Sequence, residues 1–348
     1  MIKEHQIEAI LWGCGMMGQI VVRYLHEKGI KLVGVIDRNE SRVGKDVGEV
    51  CAIGQNLGVS VRPPEEAEQV FEETQANVCI ICTRSTIADL YDLFEMAARH
   101  GVNAITIGEE AFYPHTTSPD RIQKLDRLAT ENNCTLTGSG FQDVFCGHLV
   151  ATIAGAAHRI DRIEVMTRYN LDDYGRSLAE HHGAGMTVEA FEQTVATQDT
   201  PPFNWHVNEW LCARFGWTIR TQKTAFVPTI ETETVRSTCL ELDIPTGSVT
   251  GMRAIVTTET QEGPVVETQI VGKVYAPGEE DLHECTIAGE PTISLTLRQP
   301  ATPELTCATA VNRLPQLIAA PAGFQTTDRM PPPDYSPVAF DRTRPLRV

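Results

Sequence analysis

Two adjacent carboxylates, Glu109 and Glu110, follow the apolar run Ile105-Thr106-Ile107-Gly108, and Ala-Phe-Tyr-Pro comes directly after them. A carboxylate pair released at the end of a buried strand suits general acid–base work, because the carboxyl ends of parallel strands face the ligand crevice. The same pair also fits a solvated helix start, where acidic residues meet the positive end of the dipole. A second constellation lies earlier: Gly13-Cys14-Gly15-Met16-Met17-Gly18 has the spacing GxGxxG, and Asp37 stands 19 residues after Gly18. Glycines at those places permit a tight turn, a close approach of backbone to a pyrophosphate, and close helix–strand packing. The amides of Met16 and Met17 at the helix start would then face the phosphates. Asp37 can accept hydrogen bonds from both adenosine ribose hydroxyls, and its charge opposes a 2′-phosphate, so NAD is favoured over NADP. Arg38 keeps dual use open, by stacking on adenine or meeting such a phosphate. Thr83, at the end of a later strand, is a further cofactor contact, with capping of the helix near Thr86 as its other reading.

These residues need a frame, and the order of elements supplies one. IEAILW (7–12) is a strand, the glycine turn opens a helix that stops at Gly29, and KLVGVID (31–37) is the next strand. After a loop over 38–62, the spacing predicts a helix over 65–75 and a strand over 77–83. A helix over 86–100, a strand over 102–108, a helix over 119–133 and a strand over 134–141 follow. The alternation predicts an α/β Rossmann fold, a doubly wound parallel sheet. From about residue 160 the texture changes to alternating stretches rich in Thr, Val and Glu: RIEVMTRYN, TVRSTCLELDI, SVTGMRAIVTTE and VVETQIVGKVY. These suit a second α+β domain with a mixed or antiparallel sheet, interrupted by helices over 187–197 and 204–214. A late helix is expected over 304–320, and the segment MPPPDYSP as an extended surface tail. The division expected is 1–145 for the dinucleotide domain, 146–304 for substrate binding and dimerisation, and 305–348 returning to the first domain.

At 348 residues, two domains are the default. The balance of 29 basic against 46 acidic residues gives a net charge of −17, which opposes nucleic acid and anionic membranes as partners. MIKEHQIEAILWGCG reads as neither a secretion signal nor an anchor, and ten scattered cysteines fit a reducing, cytoplasmic setting. Cys79 and Cys82 have CxxC spacing inside an apolar strand with no second pair, and His181-His182 lacks a third ligand, so no metal site is expected.

The combination WGCGMMGQ, ITIGEEAFYP, TGSGFQDVF, RYNLDDYG with AEHHGAG, and PAGFQTTDRMPPP resembles the 2,4-diaminopentanoate dehydrogenase and native amine dehydrogenase family, which has a dihydrodipicolinate-reductase-like architecture. The resemblance covers nearly the full chain. It implies NAD(P)-dependent oxidative deamination of a primary amine, with the C4 amine of 2,4-diaminopentanoate as the first expectation and simple alkyl amines or ketones as the alternative. By the same resemblance Glu109 is the catalytic residue, with Glu110 in reserve. Phe141, Gln142, Tyr169 and Tyr174 line the substrate pocket. Cys146 stands where some relatives carry a tryptophan, which leaves more room. A diamino acid also needs an anion site, for which Arg162, Arg168, His181 and His182 are candidates, and a cation site, for which Asp172 and Asp173 are. Asn312, in the late helix, joins the cofactor set. A homodimer acting on a small amine or ketone is expected. A reductase of the dihydrodipicolinate or homoserine dehydrogenase type would place a lysine or a histidine-rich stretch where this chain has Glu-Glu. A protein that senses NAD(P) without turnover is the non-enzymatic reading.

Overall fold

Alternation of apolar residues along the first strand decides its surroundings. On β1 (Glu8–Trp12), Ala9 and Leu11 enter one cluster of buried side chains while Ile10 and Trp12 enter another. A strand buried on both faces must be covered by helices on both. In the computed structural model, which describes residues 7–335, this is the arrangement found. Helix α1 (Met16–Glu27) ends where Gly29 takes φ +66°, and β2 (Lys31–Ile36) follows. The stretch expected as loop holds a short helix, α2 (Val47–Val50), and a two-residue strand, β3 (Val61–Arg62). Next come α3 (Ala67–Glu73), β4 (Val78–Ile81), α4 (Ile87–Arg99), β5 (Asn103–Thr106), α5 (Pro119–Glu131) and β6 (Thr135–Gly138). Thr86 caps α4, its side chain accepting from the amide of Asp89, so Thr83 is not the capping residue. Residues Gln142–His148 form a π-helix, a widened turn common at functional sites.

A second compact unit covers Leu149–Ala301. It contains α6 (Leu149–Ala154), β7 (Arg159–Asn170), α7 (Arg176–His181), α8 (Val188–Gln193) and α9 (Asn204–Phe215). Strands β8 (Ile219–Ile230), β9 (Val235–Ser237), β10 (Leu242–Ile244), β11 (Val249–Thr260), β12 (Val265–Lys273), β13 (Leu282–Glu290) and β14 (Ile293–Arg298) follow. Six of these strands make a mixed sheet in the order β14-β13-β7-β12-β11-β8, in which only β7 and β12 run parallel to each other. Helix α9 lies on one face. The amides of its buried Asn204 and Asn208 donate to the carbonyls of Ala254, Thr268, Val256 and Val266.

From Thr302 the chain returns to the first unit, whose earlier part ends at His148. The late helix is two helices, α10 (Thr302–Asn312) and α11 (Leu314–Ala319). Pro315 explains the break, since proline is tolerated in a first turn but not within a continuous helix. Finally β15 (Gly323–Phe324) pairs with β6 and completes, among the described residues, a seven-stranded parallel sheet of order β15-β6-β5-β4-β1-β2-β3. Residues 331–335 carry neither helix nor strand, and the rest of the expected tail lies outside the described residues. No helix among the described residues is long and apolar enough to cross a membrane.

Candidate active site

The three motif glycines differ in what their surroundings demand. Gly13 has φ +99°, and a Cβ there would lie 2.6 Å from the carbonyl of Cys82. A Cβ on Gly18 would lie 2.0 Å from the carbonyl of Gly13, so helix and turn meet with no room for a side chain. Around Gly15 nothing lies within 4 Å of an added Cβ. The protein's own packing therefore does not require glycine at 15; a ligand approaching the backbone would. Gly15 is also the N-cap of α1, with no side-chain cap and no acidic residue in the first turn. Uncapped amides at the positive end of a helix beside open space fit a dinucleotide pyrophosphate. Met16 is exposed there and Met17 half-buried. Thr83 is exposed and sits over the turn, its methyl 2.8 Å from a Cβ placed on Gly13. On α10, which packs along α1, the buried side-chain oxygen of Asn312 has no hydrogen-bond partner. Such an atom is costly unless a bound group supplies a donor.

Asp37 is buried at the end of β2. One carboxylate oxygen accepts from the amide of Cys14 at 2.6 Å and the other from the amide of Asn39 at 2.7 Å. The cation beside it is Arg42, at 3.4 Å from each oxygen. Arg38, the residue singled out from sequence, is exposed and makes no ion pair with Asp37. Arg42 was missed because a turn brings it back to a carboxylate five residues earlier, which adjacency along the chain does not reveal.

The geometry separates the two glutamates after β5. Glu110 begins a short 3₁₀ turn, and both its carboxylate oxygens are engaged. One accepts from the amide of Ile87 at 2.6 Å, at the start of α4; the other accepts from the hydroxyls of Thr117 and Ser118, both at 2.7 Å. That is the helix-start role the sequence left open. Glu109 instead keeps its side chain exposed. The protein around its carboxyl removes enough water to raise its pKa above the usual value, against a hydrogen bond from Ser85 that lowers it. A carboxylate reachable by a small molecule and with raised basicity can take up and return protons.

Downstream, Phe141 is buried and stacks on Phe145 with ring centroids 4.7 Å apart. Gln142 donates to the carbonyl of Ser139, and Cys146 is buried within the π-helix. A buried pair that sequence reading missed runs through this segment. Arg313 Nε and Nη2 donate to the two oxygens of Asp143 at 2.9 and 2.8 Å, and Ser139 adds a third donor at 2.6 Å. Residues 170 positions apart give no local signal of such a pair.

In the second unit, Tyr169, Tyr174 and His182 are brought together. The tyrosine rings meet edge-on at 5.2 Å, and the Tyr169 hydroxyl lies 2.8 Å from His182 Nε2. His182 is buried, and desolvation lowers its pKa to about 4, so the ring is neutral at pH 7. Its Nδ1 lies 2.9 Å from the carbonyl of Leu178 and must donate there, which makes Nε2 the acceptor of the Tyr169 proton. Gly272, paired with Tyr169 across β7 and β12, leaves the space: a Cβ there would lie 2.8 Å from both His182 Nε2 and the Tyr169 ring. His181 is exposed beside them.

The other charged candidates are placed elsewhere. Arg162 and Arg168 point to the opposite face of β7 from Tyr169, as the period of two requires. Arg162 pairs with Glu164 and Glu267; Arg168 donates to the carbonyl of Glu280 and lies over the ring of Tyr275. Asp172 accepts from the Ser237 hydroxyl and from the amides of Thr238 and Cys239, a structural cap. Asp173 has its pKa raised by desolvation and by the negative charges of Asp281 and Asp172.

Comparison with known proteins adds three findings. The family model of the 2,4-diaminopentanoate dehydrogenase C-terminal domain matches residues 145–340, and that of the dihydrodipicolinate reductase N-terminus matches residues 7–134. A curated relative, 2,4-diaminopentanoate dehydrogenase of Acetoanaerobium sticklandii, is 27% identical over 198 residues, 55% of this chain and 54% of its own. The match therefore spans about half the length of that relative. Among solved structures, an amine dehydrogenase from Mycobacterium smegmatis is 40% identical with a TM-score of 0.86, over 96% of this chain and 98% of that one. GenD2 from gentamicin A biosynthesis, solved with NAD, is 16% identical with a TM-score of 0.53 over 84% of this chain and 73% of its own, and shares the fold.

Proposed function

The chain belongs to the 2,4-diaminopentanoate dehydrogenase family of NAD(P)-dependent amine dehydrogenases, and from that membership we propose that it oxidatively deaminates a primary amine through Glu109. The observation that carries the reading is the split between the two glutamates: Glu110 is tied into the fold, while Glu109 is accessible and abnormally basic. The turn from Gly13 to Gly18, with Asp37, Thr83 and Asn312, would hold the dinucleotide, NAD being favoured by Asp37. When bound, its nicotinamide supplies the hydride acceptor.

An alkyl ammonium with a pKa near ~10 cannot lose hydride until it is neutral. Glu109 removes that proton, and its raised pKa narrows the gap to the ammonium. Once the amine carbon is oxidised to an iminium, Glu109 takes a proton from the water that adds to it, and collapse releases ammonia and a ketone. The sum is ammonium substrate, oxidised dinucleotide and water going to ketone, ammonium ion, reduced dinucleotide and one proton. In reverse the same residue serves reductive amination. Phe141, Gln142, Cys146 and Tyr174 are assigned to the substrate. Tyr169, its own proton held by His182, can only accept from a further donor, which suits an amine N–H. Replacing Tyr169 with Phe is expected to raise KM for the amine about 2–10-fold with a smaller change in kcat, the size of one neutral hydrogen bond. An unchanged KM would remove Tyr169 from the site.

For the substrate, family membership points to the C4 amine of 2,4-diaminopentanoate, giving 2-amino-4-oxopentanoate. A second reading, a simple alkyl amine, is favoured by one observation: Arg162, Arg168 and Asp172, candidates for the diamino acid's extra charges, are engaged elsewhere. With His182 neutral and bonded to Tyr169 and Leu178, only His181 and Asp173 remain for them. Turnover of 2,4-diaminopentanoate compared with 2-aminopentane decides. A kcat/KM higher for the diamino acid supports the first reading, and a higher value for the monoamine the second. The exposed apolar side chains of Val227 and Ile230 on the edge strand β8 support a homodimer. Sedimentation equilibrium at twice the chain mass is expected, and a stable monomer would rule it out. All ten cysteines are free thiols, in keeping with a cytoplasmic location.

A further inference from the structure

We propose that Arg42 is the residue that receives the 2′-phosphate when this protein binds NADP; the proposal rests on the dinucleotide-binding reading above. A carboxylate at the end of the second strand ordinarily excludes a 2′-phosphate by charge. Here that carboxylate does not stand alone. The chain after β2 folds back through a built turn: the Arg42 amide donates to the carbonyl of Asn39 at 2.8 Å, and that of Gly44 to the carbonyl of Val61 at 2.9 Å. The side chain of Asn39 fixes the middle of the turn, accepting from both the amide and the hydroxyl of Ser41. The result places a guanidinium against Asp37.

The contact is electrostatic rather than tight. A single nitrogen, Nη1, lies 3.4 Å from both Asp37 oxygens, and those oxygens already hold short hydrogen bonds from Cys14 and Asn39. The Nε and Nη2 atoms of Arg42 make no hydrogen bond among the described residues, and the side chain remains partly exposed. A planar fork with donors to spare is the group that matches phosphate oxygens. With NAD, Asp37 meets the ribose hydroxyls and Arg42 balances its charge. With NADP, the same guanidinium offers its remaining donors to the phosphate, and the exposed Ser41 hydroxyl lies in the same turn.

The test measures dissociation constants of NADH and NADPH from nicotinamide fluorescence, with no amine present, for the wild type, Arg42→Ala and Arg42→Lys. The wild type is expected to bind both. Arg42→Ala should weaken NADPH relative to NADH by about 10–100-fold, the size of a hydrogen bond to a charged group. Arg42→Lys should recover part of that loss, since charge is kept but the fork is not. An equal loss for both dinucleotides in Arg42→Ala would mean that Arg42 only steadies Asp37, and would overturn the proposal. So would a wild type that binds NADH but not NADPH. Binding of neither would instead remove the dinucleotide reading on which the proposal stands.

Discussion

Glu109→Gln is expected to lower kcat by about 10²–10⁴-fold, the range for loss of a positioned acid–base group, while dinucleotide binding stays intact. The amide keeps the shape and the contact with Ser85 but cannot take a proton. Two accompanying effects separate this from general damage. The pKa of Glu109 is raised by desolvation, so its base form, and with it kcat/KM, is lost as the pH falls through a value higher than that of a freely solvated glutamate. Glu109→Gln should abolish that acid limb in whatever activity remains. A raised carboxyl pKa also means that the folded state holds this proton more tightly than the unfolded chain does. Ionisation at neutral pH therefore weakens the fold, and Glu109→Gln should be no less stable than the wild type. Glu110→Gln should behave in the opposite way. An amide cannot accept from Ile87, Thr117 and Ser118 together, and a stability loss of about 1–3 kcal/mol is expected. Urea unfolding and pH–rate profiles of the two variants check both statements.

Arg313→Ala is expected to cost about 3–5 kcal/mol, the largest stability effect foreseen, because it leaves Asp143 charged and buried without its partner. Both side chains are fully buried, and Arg313 also donates to the carbonyl of Pro331. The pair ties the break between α10 and α11 to the π-helix that carries Gln142 and Cys146. Replacing both partners together, Asp143→Leu with Arg313→Met, should cost less than Arg313→Ala alone, since no charge is then stranded. The urea midpoints give the comparison. If Arg313→Ala unfolds at the wild-type midpoint, the pair is not a structural tie.

The first unit was legible because its signals are local. Glycine stops at Gly29 and Gly101, a capping Thr86, and apolar runs buried on both faces fix strand, helix and turn within a few residues of each other. The second unit was legible as β-rich but not strand by strand. β8 was missed: Pro228 argues against a strand, and it is tolerated because β8 is the edge of the sheet. The alternating stretch TVRSTCLELDI holds two short strands, β9 and β10, which pair with each other outside the six-stranded sheet. At the site, residue types and strand ends pointed to Gly13–Gly18, Asp37 and the glutamate pair. Which glutamate is engaged depends on Thr117, Ser118 and the start of α4 converging on one carboxylate, which only the fold supplies. Arg42, Arg313 and the His182–Tyr169 contact are likewise products of return paths in the chain.

The most direct test follows reduced-nicotinamide absorbance in a single turnover of wild type and Glu109→Gln, each first shown to bind the dinucleotide, on mixing with 2,4-diaminopentanoate or 2-aminopentane. Amine-dependent reduction with one ketone and one ammonia formed per dinucleotide in the wild type, and a rate about 100-fold or more lower in the variant, is the predicted result. Equal rates in the two proteins, or no amine-dependent reduction by a wild type that binds its cofactor, would contradict the account.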